Sequence, residues 1–161
     1  MILGMTTLAF VHTLLSLVGI VAGLVVAFGL LTSNRMSGLT ALFLAATVAT
    51  SVTGFFFPFV GFKPSYVVGV ISLIVLAVAL YALYGKQLDE VWRPTYAISA
   101  VIALYLNVFV LVAQAFVKVP ALKELAPTQS EPPFVVAEAV VLVVFVVLGI
   151  LSAIRFYPEP V

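Results

Sequence analysis

Four polar side chains, His12, Asn107, Gln114 and Glu138, lie inside otherwise apolar stretches and are the residues placed to do chemistry. An ionised carboxylate in hydrocarbon costs at least a few kcal/mol, so Glu138 must be protonated, paired or in contact with water. His12 is the only imidazole of the chain. A Glu138–His12 hydrogen bond is the economical solution, and Gln114 can both donate to and accept from such a pair. With Thr53 and Tyr66 at the same end, these residues predict a titratable site open to the N-terminal side. It could bind a polar headgroup or a quinone, or accept a proton. The plainer reading is structural. Asn107 and Gln114 can serve as interhelical glue and His12 as a packing residue, with Glu138 close enough to its helix start to be favoured by the helix dipole.

The elements that must position these groups are five long apolar runs, residues 6–31, 39–60, 65–84, 95–117 and 134–154. About 20 residues at ~1.5 Å rise match a ~30 Å hydrocarbon core. No run contains Lys, Arg or Asp, and only the last contains Glu. The predicted fold is all-α, a polytopic transmembrane bundle of five helices forming a single domain. The longest connection, residues 118–133, leaves no room for a soluble domain. The first run has an uncharged flank and no small-residue cleavage site, and reads as a retained helix.

Composition excludes much. The chain is 65% hydrophobic and 8% charged, against about a quarter charged in a soluble domain. Cysteine is absent, which removes disulfides, thiolate metal sites and covalent c-type haem. One histidine cannot supply bis-imidazole haem, and no span carries a lysine for a Schiff base. No metal or cofactor is therefore expected. A net charge of +1 without a basic cluster gives no footprint for nucleic acid. The only aspartate, Asp89, lies in a connection, and Ser16 near His12 reads as packing rather than as a nucleophile with its base, so no enzyme is expected.

Small residues mark the faces through which helices approach in lipid. His12, Ser16, Gly19, Gly23 and Ala27 form one face of the first span, and Thr47, Thr50, Ser51 and Gly54 one side of the second. Ser99, Ala103, Asn107 and Gln114 align on the fourth, and Glu138, Phe145, Gly149 and Ser152 on the fifth. Gly19 and Gly23 are expected to pack against the helix carrying Asn107 or Thr47. The third span, the plainest, is expected to face lipid most. Aromatic residues mark both boundaries: Phe55, Phe56, Phe57, Phe59, Phe62 and Tyr66 at one, and Tyr81, Tyr84, Trp92, Tyr96 and Tyr157 at the other. Residues 118–133 hold four prolines and read equally as an ordered cap or as a solvated connector.

Two segments, TSVTGFFFP at 50–58 and LAPTQSEPPF at 125–134, resemble stretches of small bacterial inner-membrane proteins of unassigned function. The resemblance implies a bacterial cytoplasmic-membrane setting and supplies no mechanism. The residues themselves favour a non-catalytic accessory or assembly subunit, with membrane lipid and a membrane-protein partner or a second copy as its contacts. A small transporter or proton conductor using His12 and Glu138 is the first alternative. A lipid- or quinone-binding protein using the aromatic turn is the second.

Five spans put the termini on opposite sides. Lys63, Lys118 and Lys123 fall on the N-terminal side, and Arg35, Lys86, Arg93 and Arg155 on the other. The positive-inside rule then predicts an outer N-terminus and a cytoplasmic C-terminus. Reporter fusions at Val161 and within residues 118–133 should signal cytoplasmic and external locations respectively. A cytoplasmic signal from the loop fusion reverses the orientation.

Overall fold

The computed structural model describes residues 2, 4–61 and 63–159. Phe62, counted above among the aromatics, lies outside the described residues. Six α-helices follow one another: α1 (Thr7–Leu31), α2 (Ser37–Gly54), α3 (Pro64–Leu80), α4 (Trp92–Lys118), α5 (Pro120–Leu125) and α6 (Pro132–Arg155). A π-helical turn, Tyr81–Gly85, extends α3. Five of these elements are long and apolar enough to cross a membrane, which is the architecture of a multi-pass integral membrane protein.

Local chemistry sets most boundaries. The Thr6 hydroxyl accepts from the Ala9 amide at 3.2 Å and caps α1. Pro64 and Pro132 open α3 and α6, where a missing amide proton costs nothing. α2 stops at Gly54 and does not run on to residue 60 as the apolar pattern predicts. Glycine has low helix propensity, and Pro58 disfavours helical backbone at Phe57. Residues 55–61 form an aromatic turn instead. The third span ends in a wider turn, closed by a Lys86 amide to Tyr81 carbonyl bond of 2.8 Å.

Helix α4 is the hub and contacts every other helix, most extensively α6 and α3, while α1 packs chiefly on α2. The α4–α6 pairs Phe116–Phe134, Tyr105–Phe145 and Val101–Gly149 define one register. Moving eleven and then four residues down one helix corresponds to the same steps up the other, so the two run antiparallel. The core lies toward the C-terminal side of the membrane, around Phe43, Leu44, Leu76, Leu83, Tyr96 and Leu104. α6, rather than the third span, is the least buried of the five.

The tightest interhelical contact made at a glycine is at Gly23. A Cβ there would lie 2.6 Å from Leu104 Cδ1 and 2.9 Å from the Phe43 ring, so α1 meets both α2 and α4 at this point. Phe43 is fully buried and has nowhere to move. Gly23→Leu should therefore cost ~1–3 kcal/mol or more through overpacking. Gly38, with nothing within 4 Å of a built Cβ, is the control, and Gly38→Ala should leave stability within about 1 kcal/mol. Reversible unfolding in detergent measures both. Equal midpoints for the two variants would place the Gly23 face against lipid.

Candidate functional site

A seam of small and polar residues joins α1, α2, α3 and α4 through the middle of the bundle. Ser16 Oγ donates to Asn107 Oδ1 at 2.7 Å, and Asn107 Nδ2 approaches the Ser16 carbonyl at 3.5 Å. Gly19 makes this possible. A Cβ there would come within 3.2 Å of Thr47 Oγ1 and 3.3 Å of Asn107 Nδ2. Thr47 is buried and donates to the Phe43 carbonyl at 2.7 Å. Ser51 continues the seam, 2.9 Å from the Thr47 carbonyl and 3.0 Å from Ser72 Oγ on α3. The hydroxyls of α2 thus bond carbonyls of their own helix, as polar side chains in lipid must when no water is at hand.

His12 belongs to α2's surroundings, not to Glu138's. Its Nδ1 lies 2.9 Å from Thr53 Oγ1, and its ring meets Phe57 edge-on at 5.2 Å. Gly54 lies beside the ring, where a Cβ would stand in ordinary contact 3.6 Å from His12 Cε1. The Thr53 hydroxyl has one proton, and the Ala49 carbonyl stands 2.7 Å away to receive it. The Thr53 oxygen then accepts from His12, which places the ring proton on Nδ1.

Glu138 is 9% exposed, and among the described residues neither carboxylate oxygen has a hydrogen-bond partner. The α4–α6 register sets it level with Val112 on the facing helix, between the Phe116–Phe134 and Tyr105–Phe145 pairs. The Glu138–His12 hydrogen bond expected from the sequence is not made. Gln114 does not join the two either: it is exposed and lies off the buried face of α4. Tyr66 is separate again, stacked on Phe55 at 6.0 Å and tilted against Phe59 at 5.5 Å. The sequence places these groups at one end of the bundle; in the structure His12 bonds Thr53 of α2, Glu138 sits on the α4–α6 contact and Tyr66 stacks in the aromatic turn, and among the described residues no hydrogen bond joins the three.

The connection between α4 and α6 is an ordered cap. It contains α5, buries Ala126, and returns Gln129 Nε2 to the Ala113 carbonyl at 2.8 Å. Glu131 closes it, accepting from the Thr128 hydroxyl at 2.8 Å and from the amides of Thr128 and Ser130. Desolvation is the largest single influence and pushes the Glu131 carboxyl up, but the hydrogen bonds together outweigh it and hold the group below its ordinary value.

At the other end lies a cleft that the sequence reading did not single out. It measures about 820 Å³ and is lined by Arg35, Lys86, Asp89, Glu90, Arg93 and Glu159, among others. Arg93 stacks its guanidinium 3.5 Å from the centre of the Tyr157 ring. The Tyr157 amide in turn donates to Ser33 Oγ at 2.7 Å. The left-handed backbone at Gln87, Leu88 and Glu90 folds the cleft wall. Its signal in the sequence is the charged run 86–93, which reads as an ordinary connection because its partners Arg35 and Glu159 are distant in the chain.

The Ser16–Asn107 bond is the interaction across the seam most open to measurement. A double-mutant cycle with Ser16→Ala and Asn107→Leu should return a coupling of ~0.5–2 kcal/mol in detergent or bicelle unfolding. Strictly additive effects would mean that the hydrogen bond holds nothing together. Comparison with protein-family models, curated proteins and solved structures gives no match to this chain.

Proposed function

We propose that this chain is a non-catalytic accessory or assembly subunit of a bacterial cytoplasmic membrane, docking through α6 onto another membrane protein or a second copy of itself. The supporting observation is the division of labour among the helices. Ser16 of α1, Ser51 of α2 and Asn107 of α4 are engaged in hydrogen bonds that cross between helices and hold the bundle together. α6 instead turns outward a stripe of Val136, Val140, Val143, Val147, Ile150 and Ile154, each 50–63% exposed.

That stripe advances in steps of four, three, four, three and four, the spacing that keeps one seam against a partner helix. Its residues are all β-branched and have few rotamers, so seating them costs little side-chain entropy. The transporter reading is less well supported, because a relay from Glu138 through His12 lacks the hydrogen bond that would join them. The lipid- or quinone-binding reading draws on the aromatic turn, where Phe56 and Phe59 are exposed beside the Tyr66 stack. Exposed rings at a boundary also serve as plain interfacial anchors.

The absence of cysteine makes the test clean. Single cysteines at Val136, Val140, Val143 and Val147, each labelled with a photoreactive benzophenone maleimide and illuminated in native membranes, should crosslink, while cysteines at Val135 and Val146 crosslink less. A product of twice the chain's mass means self-association, and a larger discrete product means a different partner. No crosslinking at any stripe position rejects α6 docking.

A further inference from the structure

The Glu138 carboxyl is unusual in being both nearly sealed and unpartnered. Its two oxygens present essentially no surface, so a lipid headgroup or a neighbouring subunit cannot reach them without the helices moving. The titratable and charged groups on the surrounding elements leave it unpaired. Tyr105 and Lys118 belong to α4, His12 of α1 is bonded to Thr53, Lys123 and Glu124 lie on exposed α5, and Glu131 is held by Thr128 and Ser130. An ionised carboxylate with no donor at this depth costs several kcal/mol. The one ligand that fits without displacing anything is a proton.

The route to it is also apparent. A helical side chain leans over the turn N-terminal to its own Cα, which carries the Glu138 carboxyl toward Phe134. Phe134 and Phe116 form an edge-on pair, 5.4 Å between ring centres, at that level. Above them sits the cap, pinned by the Gln129 to Ala113 bond. Glu138 lies about 9 Å from the start of α6 at ~1.5 Å per residue, so this is the short way to water.

We propose that Glu138 is a proton-binding site, neutral in the closed bundle and exchanging its proton with water at the N-terminal side when the Phe116–Phe134 pair and the 119–131 cap part. Loading converts carboxylate and proton to carboxylic acid. Release returns the proton to water and leaves an ion that the closed site cannot hold, which couples charge on Glu138 to opening between α4 and α6. This inference is independent of docking through α6.

Infrared spectroscopy of the full chain in an alkyl maltoside detergent, which carries no carbonyl of its own, tests it near neutral pH. A neutral carboxylic C=O band is expected and should disappear in Glu138→Gln, the other five acidic residues lying outside the five spans, in connections, on α5 or in the tail. If that variant fails to fold, carbon-13 glutamate labelling shifts the same band in the unaltered chain. Absence of the band in the wild-type protein overturns the proposal. On transfer to deuterium oxide the band should shift slowly, and Gln129→Ala should speed that shift about threefold or more by removing one hydrogen bond from the cap. An unchanged rate in Gln129→Ala rejects the cap as the gate.

Discussion

The close approach of α1 to α2 and α4 at Gly19 and Gly23 governs the placement of everything else. Two helices in lipid gain nothing from excluding water, so their association depends on contact and on hydrogen bonds that distance would abolish. Without side chains at these two positions, Phe43 and Leu104 come against the α1 backbone, and Thr47 and Asn107 come within reach of it. The Ser16–Asn107 bond then ties α1 to α4, and α4 carries α3 and α6 in turn. A single methyl at Gly23 would meet the fixed Phe43 ring, so the contact has little tolerance.

The two ends of this bundle are finished differently. At the C-terminal end a π-helical turn, three left-handed residues and the returning tail assemble charged side chains around a cleft, with Arg93 laid on Tyr157. At the N-terminal end the turn is aromatic and the charges of the cap, Lys123 and Glu124 among them, lie on its exposed outer side, away from the α4–α6 contact. Water-filled relief is therefore available to polar groups near the cleft and scarce near Glu138. The same side chain would be unremarkable at one end and is costly at the other.

The spans, their order and the inward faces of α1, α2 and α6 are legible in the sequence, because lipid imposes length and because small residues repeat at helical spacing. The end of α2 is not, since residues 55–60 are apolar enough for a span while Gly54 and Pro58 work against helix. The pairing of His12 is missed for a different reason. Depth follows from counting residues, but azimuth depends on which helices are neighbours, and nothing in the sequence makes α2 the partner of α1 and α4 the partner of α6. Thr53, one of several hydroxyls on α2, carries no mark that it will meet an imidazole. Gln114 shows the same limit, sharing a helical row with Asn107 yet ending exposed seven residues further on.

Stability alone does not account for Glu138. Replacing a buried, unpartnered acid with an apolar side chain of similar size removes a desolvation cost and loses no hydrogen bond, so leucine would serve the α4–α6 contact better. Ser152, also buried without a partner on the same face, is a lesser case because a hydroxyl carries no charge to strand. The rest of that interface consists of Phe145 against Tyr105, Gly149 against Val101, and Phe134 against Phe116, all of which pack without polar help. A helix that only needed to dock would carry apolar side chains on both faces. α6 does so on the outward face and departs from it inward at Glu138, where the departure weakens the bundle unless the acid holds a proton.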